Sequence, residues 1–259
     1  LKQADIGVAM GITGTDVSKE ASDMVITDDN FATIVEAAKE GRAIYDNVRR
    51  FVKYLLASNT GELFVLLVAQ LVSGMTIPLT TLQILWMNLI TDGIPALALG
   101  LEKAEDDAML RDPYAPNESV LGRGLGRHIL LIGSTLGLAA LGLGIWAFQN
   151  DVLAANGAPA WNTMVFMMLT MAQMGHALGL RSHTKSLFSM NFFENRILLG
   201  AVMSTLILQL MAIYLPFFNN VFGTNPLTLN QLGLCLVLST VVFWMVELEK
   251  LLMRREILK

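Results

Sequence analysis

Two acidic side chains lie inside stretches of sequence that are otherwise apolar. Glu62 stands within an apolar run from residue 51 to residue 73, and Asp92 stands within the next run, from 79 to 101. A carboxylate inside a lipid bilayer costs about 3 kcal/mol or more unless it is paired or hydrated, so its presence there indicates a function. The two carboxylates mark the first candidate site of this chain.

Each carboxylate has polar neighbours at helical spacing. Asn59 comes three residues before Glu62, and Asn88 and Thr91 come four residues and one residue before Asp92. On a helix, Asn59 shares a face with Glu62, and Asn88 shares a face with Thr91 and Asp92. Carboxylate, amide and hydroxyl oxygens are ligands for hard cations such as Ca²⁺, whereas zinc and copper prefer histidine or cysteine. The pattern predicts a site for a hard cation.

Other residues bear on the same site. Gly93 and Pro95 directly follow Asp92 and weaken the helix there, which could free backbone carbonyls as further ligands. Gln173 lies in a later apolar stretch and is a weaker candidate ligand. His176, one turn further on, is interpreted as an interhelical hydrogen-bonding residue. The alternative for the whole set is a polar clamp that holds helices together.

The composition indicates that these elements lie in a membrane. Of the 259 residues, 54% are hydrophobic and 15% are charged, and the mean hydropathy is +0.54. Soluble domains have about 25% charged residues. The net charge of −4 gives no reason to expect a nucleic-acid partner, and a single cysteine, Cys235, excludes an intrachain disulfide.

Six apolar stretches are long enough to cross a bilayer as helices, which takes about 20 residues each. The sequence therefore predicts a mainly α fold, a six-helix transmembrane bundle. The predicted spans are residues 51–73, 79–101, 128–148, 163–180, 197–218 and 229–247.

The distribution of basic residues predicts the orientation. The loops 74–78, 149–162 and 219–228 contain no lysine or arginine, and all 18 basic residues lie toward the other side of the predicted membrane. By the positive-inside rule, both termini are predicted to be cytoplasmic. A large soluble helical bundle would not sort its charges in this way.

The first 45 residues have a different character. Asp5–Met10 and Ala21–Ile26 are predicted strands, and a helical period that begins at Phe31 continues into the first span. We expect the end of a soluble α/β unit over residues 1–45, which includes the start of a stalk helix, and a membrane domain over residues 46–259. Because the chain starts at Leu1 rather than methionine, we also expect a part of a longer protein.

Several segments resemble the P-type cation ATPases. Residues 1–11, LKQADIGVAMG, resemble the end of the phosphorylation domain of that family. Residues 58–62, SNTGE, and 85–93, LWMNLITDG, resemble the fifth and sixth spans of its type II, calcium-pump branch, and residues 45–53, YDNVRRFVK, resemble its stalk. The resemblance implies a remnant of a haloacid-dehalogenase-like phosphorylation domain, a long stalk helix, and the last six spans.

The resemblance also implies a function and a ligand set. In this family ATP phosphorylates an aspartate, and conformational cycling moves cations across the membrane. Asp92 would bridge two ions, and Gln173 stands where some calcium pumps have a glutamate, which leaves the number of ions per cycle open. The residues that match calcium ligands of the family are Asn59, Glu62, Asn88, Thr91 and Asp92.

The expected identity of the transported ion rests on positions at which this chain differs from related pumps. Sodium–potassium pumps have aspartate at the position of Asn88 and proline at that of Gly61, and secretory-pathway pumps typically lack the acid matching Glu62. Ca²⁺ is therefore favoured over Na⁺ or another cation as the transported ion. The Asp-Lys-Thr-Gly phosphorylation motif does not occur in this sequence, so we expect no catalytic residue here, and ATP and Mg²⁺ would bind elsewhere in the full-length protein.

We therefore expect this chain to be part of an ATP-driven pump that exports Ca²⁺ from the cytoplasm. We expect the pump to be an integral protein of a bacterial plasma membrane. Its expected partners are the lipid bilayer, the N-terminal part of the same polypeptide and the transported cation. Readings from other classes stay open. One is a passive channel or ion-coupled carrier, and the other is a membrane scaffold that transports nothing.

Overall fold

The computed structural model describes residues 1–71, 78–105, 107–115, 118–119, 121–183 and 185–255. Most of this part of the chain is helical. It divides into two compact units, one formed by Leu1–Asp46 with Lys103–Pro113 and the other by Asn47–Glu102 with Tyr114–Lys259. The end of the first predicted span and most of the predicted loop 74–78 lie outside the described residues.

The first unit contains a small parallel sheet. Strand β1 (Val8–Met10) pairs with β2 (Met24–Ile26), and helix α1 (Asp16–Glu20) lies between them in sequence. Both strands were predicted from the sequence, although each is three residues long. Next to the paired residues, the Gly7 carbonyl accepts hydrogen bonds from the N–H groups of Asp23 at 2.8 Å and Met24 at 3.1 Å, and Asp23 Oδ2 accepts one from the Gly7 N–H at 2.8 Å.

A turn after β2 is fixed by a single carboxylate. Asp29 has a positive φ of 50°, and its side chain accepts hydrogen bonds from the N–H groups of Ile12 at 2.8 Å and Thr13 at 2.7 Å. These donors stabilise the ionised form and lower the pKa of Asp29 to about 2. The loop after β1 is therefore held to the turn after β2.

Helix α2 runs without a break from Ala32 to Ala69, 38 residues in all. At 1.5 Å per residue it is about 57 Å long. The prediction that the stalk and the first span form one helix is confirmed, and Gly41 does not interrupt it. The helix ends at Ala69, four residues before the end of the predicted span.

Within the first unit, the segment 103–113 is bound to the start of α2 by arginine side chains. Arg42 Nη1 donates to the carbonyls of Ala108 at 2.8 Å and Arg111 at 2.7 Å. The guanidinium of Arg111 in turn lies 2.6 Å from Asp46 Oδ2. Both arginines thus help to fix this segment, in which the described residues form turns but no helix or strand.

The described residues of the second unit are helical over most of their length. Two helix ends differ from the predicted spans. The fifth span ends at Tyr214 because Pro216 lacks an N–H group and starts a separate helix, and the sixth continues past residue 247. The helices are α3 (Thr81–Trp86), a π-helical turn (Met87–Thr91), α4 (Gly93–Leu99), α5 (Leu125–Gln149), α6 (Trp161–Gly179), a 3₁₀ turn (Leu187–Ser189), α7 (Arg196–Tyr214), α8 (Pro216–Phe222) and α9 (Leu229–Arg254).

Five stretches within the described residues are long and apolar enough to cross a membrane: Ala32–Ala69, Thr81–Leu99, Leu125–Gln149, Arg196–Tyr214 and Leu229–Arg254. The mainly helical membrane fold is confirmed. Helix α6 is absent from this set although it coincides with the fourth predicted span. It carries Gln173 and His176 and is buried along most of its length. Its crossing of the membrane stays a prediction.

Close packing of α5 on α2 positions the first carboxylate. A Cβ atom added at Gly133 would lie 2.7 Å from the Thr60 side chain, and one added at Gly137 would lie 2.6 Å from Phe64 Cδ1. Two small residues four positions apart on a helix allow such a close approach. Thr60 and Phe64 flank Glu62 in α2, so this contact sets the position of Glu62 in the bundle.

Candidate cation site

Glu62 is buried in the second unit and held by two amide groups. Its side chain is 3% exposed. Gln173 Nε2, from α6, donates to Oε1 at 2.8 Å, and Asn88 Nδ2, from the π turn, donates to Oε2 at 3.3 Å. The carboxylate is therefore satisfied by neutral donors from two neighbouring elements.

Asp92 lies directly after the π turn and is fully buried. Its Oδ1 atom lies 3.1 Å from the hydroxyl of Tyr54, a residue of α2. Its Oδ2 atom is buried and has no hydrogen-bond partner among the described residues. One oxygen of this carboxylate is consequently free to accept a further donor or a cation.

The irregular helix around Asp92 has a local cause. The Asp92 N–H bonds to the carbonyl of Met87, five residues earlier, at 2.8 Å. Pro95 has no N–H group to offer the carbonyl of Thr91. The Tyr54 hydroxyl lies 3.3 Å from that carbonyl instead. The prediction that Gly93 and Pro95 weaken the helix here is confirmed, because a π turn interrupts the α-helix directly before them. Turns of this kind are common at functional sites.

Gln173 occupies a central position. Besides its contact with Glu62, its Oε1 atom lies 3.5 Å from the hydroxyl of Thr91, which also donates to the Met87 carbonyl at 3.0 Å. Gln173 and Thr91 are both fully buried. Gln173 was a weaker candidate than the others on sequence grounds, but the structure places it in contact with two of them.

The two asparagines differ in their surroundings although both are exposed. Asn88 reaches Glu62 and also donates to the carbonyl of Ile84 at 3.0 Å. Asn59 donates to the carbonyl of Leu55, in its own helix, at 2.8 Å. The structure thus brings Glu62, Asn88, Thr91 and Gln173 together, with Asp92 beside them. Among the described residues, Asn59 makes no hydrogen bond to the others.

Tyr54 is a site residue that the sequence reasoning missed. It lies eight residues before Glu62, which is close to two full turns of helix and places both residues on one face of α2. It is fully buried. The signal was present in the spacing, because a buried tyrosine needs a hydrogen-bond partner for its hydroxyl.

The electrostatics of the site favour a cation. The neighbours that act on Glu62 are the amides of Gln173 and Asn88, and those that act on Asp92 are Glu62 and Tyr54. No lysine or arginine in the described part of the chain is among them, and the two carboxylates repel each other. Buried charges without an opposite charge are costly, so a bound cation would stabilise this arrangement.

The chemistry of the ligands points to a hard cation. No group of three or more histidine, cysteine, aspartate or glutamate residues that could hold a metal occurs among the described residues. The site offers carboxylate, amide and hydroxyl oxygens, which suit Ca²⁺ better than zinc or copper. The amides of Asn88 and Gln173 direct their N–H groups at Glu62, so each would rotate to present its oxygen to a cation.

Comparisons with known proteins agree with the sequence resemblance. A family profile described as "Cation transporting ATPase, C-terminus" matches residues 76–252. The calcium-transporting ATPase of Bacillus subtilis is 47% identical over 241 residues, which cover 93% of this chain. Calcium-transporting ATPase 1 of Bacillus cereus is 40% identical over 97% of the chain, and calcium-transporting ATPase type 2C member 2 of Mus musculus is 39% identical over 97%.

The chain is short relative to these proteins. The aligned regions cover 26% of the B. subtilis protein, 29% of the B. cereus protein and 26% of the mouse protein. The chain therefore spans about a quarter of the length of the relatives that it matches.

Proposed function

Because this chain belongs to the cation-transporting ATPase family, in its type II P-type branch, we propose that it forms much of the intramembrane ion site of an ATP-driven Ca²⁺ pump. The observation that carries the proposal is the pair of buried carboxylates, Glu62 and Asp92, whose partners are neutral amides and hydroxyls. The names of the relatives, all calcium-transporting ATPases, favour Ca²⁺ over Na⁺ as the ion.

The roles of the ligands follow from their contacts. Glu62 and Asp92 supply the negative charge, and the free Oδ2 atom of Asp92 is the first position for the ion. Gln173 and Asn88 hold Glu62 and rotate to add amide oxygens. Asn59, on the exposed surface of α2, joins the site as an outer ligand when a span that precedes these six in the full-length protein covers that surface.

The transport cycle draws on parts outside this chain. ATP, with Mg²⁺, would phosphorylate an aspartate elsewhere in the full-length protein, and residues 1–45 would form the end of that phosphorylation domain, which the parallel strand pair supports. Since α2 is unbroken, a rotation at its start would be transmitted to Tyr54 and Glu62. Protons would return on Glu62 and Asp92 when the ion leaves.

The proposed location is the plasma membrane of a bacterium, with both termini in the cytoplasm. The distribution of the 18 basic residues supports the orientation, and the similarity to the Bacillus proteins supports the bacterial source. The lipid bilayer and the remainder of the same polypeptide are the expected partners. Ca²⁺ would enter the site from the cytoplasm and be exported.

The test is ATP-driven ⁴⁵Ca²⁺ uptake into vesicles that contain the full-length protein. Asp92→Asn is expected to abolish uptake, because it removes one of the two charges that hold the ion. Ser204→Ala, which changes a hydroxyl bonded within its own helix, is the control and should leave uptake unchanged. Unchanged uptake in Asp92→Asn would show that the site assignment is wrong. ATP-driven uptake of ²²Na⁺ in place of ⁴⁵Ca²⁺ would show that the transported ion is Na⁺.

A channel or carrier and a scaffold predict different results in the same vesicles. A channel or ion-coupled carrier would move Ca²⁺ without ATP, and a scaffold would not move it under either condition. Omitting ATP from one set of vesicles therefore separates the three classes.

A further inference from the structure

A second group of buried ionisable residues contains none of the proposed cation ligands, although one member, His176, follows Gln173 by three residues. His128 of α5, His176 of α6 and Glu249 of α9 are each at most 2% exposed. His128 Nε2 lies 3.0 Å from His176 Nε2, and its other ring nitrogen, Nδ1, contacts Glu249 Oε2. We call these three residues the histidine–glutamate cluster. None of them is a ligand in the proposed cation site.

The cluster does not have the geometry of a metal site. Glu249 and His176 contact opposite nitrogens of the His128 ring, so the three side chains form a chain rather than converging on one point. A metal ion would need several ligand atoms around a single centre. The arrangement suits a proton better, since each contact is a hydrogen bond along which a proton can be held or shifted.

The cluster is connected to the cation site through one residue. The His176 ring packs on the Tyr54 ring with 5.4 Å between centroids, and the Tyr54 hydroxyl lies 3.1 Å from Asp92 Oδ1. A displacement of Tyr54 by a cation bound at Asp92 would therefore act on His176. The two sites are separate, but they share this tyrosine as a neighbour.

The contact between the two histidines holds a single hydrogen. When His128 is neutral with its hydrogen on Nδ1, His176 must donate from Nε2 and its Nδ1 is bare. When His128 is doubly protonated it donates at both nitrogens, so His176 must accept at Nε2 and carry its hydrogen on Nδ1. His176 Nδ1 is buried without a hydrogen-bond partner among the described residues. A proton that binds at His176 Nδ1 therefore moves the shared hydrogen from His176 Nε2 to His128 Nε2. The added charge then lies on His128 beside Glu249, and the tautomer of the ring that packs on Tyr54 has changed.

The charged groups around the cluster come from the helices packed against it. Lys53 of α2, Arg127 of α5 and Lys250 of α9 all act on Glu249, and Lys250 Nζ is also 2.8 Å from Glu247 Oε1. The same three basic residues act on His128. These three cations oppose a proton on His128, and the direct contact with the Glu249 carboxylate is what favours one there.

We propose that the histidine–glutamate cluster is a proton-binding site of the pump, which takes up a proton when the cation leaves Asp92 and releases it when a cation binds. Tyr54 couples the two events because it touches both His176 and Asp92. The proton from solvent binds at His176 Nδ1 as the hydrogen between the two histidines shifts to His128 Nε2, and the reverse shift returns it to solvent, so no other reactant is needed. This inference rests on the proposed transport function and adds a proton site distinct from the ion ligands.

The experiment counts protons released on Ca²⁺ binding by the full-length protein in weakly buffered detergent solution with a pH-sensitive dye. Glu249→Gln should release about one proton fewer per binding event than the unsubstituted protein, because the linkage between the two sites is lost. Glu102→Gln is the matched control, since Glu102 is also a buried carboxylate but pairs with Arg181 rather than with a residue of the cluster. It should release the full number.

A second variant covers the case in which Glu249→Gln fails to fold. His176→Gln keeps an N–H group that can donate to His128 but has no second ring nitrogen, so it too should release about one proton fewer. His183→Gln, at the third histidine of the chain, is its control. A merely structural cluster would change stability in these variants without changing the proton count.

The outcomes separate this inference from the proposed function. Ca²⁺ transport with full proton release in Glu249→Gln or His176→Gln would overturn the proton site and leave the pump intact. Absence of Ca²⁺ binding and transport in the unsubstituted full-length protein would overturn the proposed function. Loss of about one proton in either variant, with the controls unchanged, supports the proton site.

Discussion

Two kinds of buried carboxylate occur within the second unit. Glu62 and Asp92 are surrounded by amides and hydroxyls. Glu102, in contrast, contacts the guanidinium of Arg181 at 3.3 Å and the amide of Asn195 at 2.7 Å. Burial is nearly complete for all of them, so burial alone does not identify the ion site.

The difference between them lies in the charge of the partners. A carboxylate paired with arginine is already compensated, and the pair is a fixed part of the structure. A carboxylate whose partners are neutral retains its charge and can exchange those partners for a cation. The predicted consequences differ. Loss of the arginine partner should destabilise the protein, whereas loss of a carboxylate with neutral partners should abolish ion binding.

The largest expected effect is at the compensated pair. Arg181 is 1% exposed and also donates to the carbonyls of Asn191 and Phe192. Arg181→Ala leaves Glu102 buried without its opposite charge and should destabilise the protein by about 3–5 kcal/mol. Thermal unfolding of the full-length protein in detergent measures this loss. Arg181→Lys, which keeps the charge, should lose less, and equal losses in both would contradict the role of charge.

The second effect is at the uncompensated carboxylate. Glu62→Gln removes a negative charge but retains a polar side chain of the same shape, so the Ca²⁺ affinity should fall by at least about 100-fold. Thermal stability without Ca²⁺ should stay the same or rise, because a buried charge has been removed. Isothermal titration calorimetry gives the affinity.

Glu102→Gln is the matched control for this change. It should leave the affinity unchanged and lower the stability, because Arg181 then has no opposite charge. If both glutamine variants lost affinity equally, the distinction between the two kinds of carboxylate would be wrong.

The sequence was sufficient to predict where the uncompensated charges lie. Glu62 and Asp92 stand out because lipid makes an acidic residue in an apolar helix costly, and the long helix α2 followed from a helical period without a breaker. The distribution of the basic residues predicted a membrane orientation. These features depend on local sequence, so a single chain contains them.

The contacts between distant segments could not be read in the same way. Gln173 was ranked below the other candidates because its distance from Glu62 depends on how α6 packs on α2, which the spacing of residues along one helix does not specify. Glu249 was missed for the same reason, because its contact with His128 depends on how α9 packs on α5. Asn59 was included on its spacing from Glu62 and on its match to a ligand position of the family, and its hydrogen bond to Leu55 shows that a shared face does not ensure contact.

A smaller effect is expected from the packing that positions Glu62. Gly137→Ala adds a methyl group 2.6 Å from Phe64 Cδ1 and should destabilise the protein by about 1–3 kcal/mol through overpacking. The affinity for Ca²⁺ should fall as well, since Phe64 follows Glu62 by two residues. Thermal unfolding and calorimetry of the same samples provide both values.

Gly142 supplies the control on the same helix. No atom lies within 4 Å of a Cβ added there, and alanine has a higher helix propensity than glycine, so Gly142→Ala should be neutral or stabilising by up to about 1 kcal/mol. A similar loss in both variants would show that α5 is sensitive to alanine in general, and that its contact with α2 is not what positions Glu62.

The smallest effect is expected at the two asparagines, and it tests how far the site extends. Asn88 contacts Glu62 directly, whereas Asn59 bonds to its own helix. Asn88→Ala should weaken Ca²⁺ binding about tenfold and Asn59→Ala by less than about tenfold, because an outer group contributes less than one that holds a charged ligand. Competition with a fluorescent Ca²⁺ indicator resolves both changes. If Asn59→Ala weakened binding as much as Glu62→Gln, α2 would have to turn on binding so that Asn59 reaches the ion, and the outer position assigned to it would be wrong.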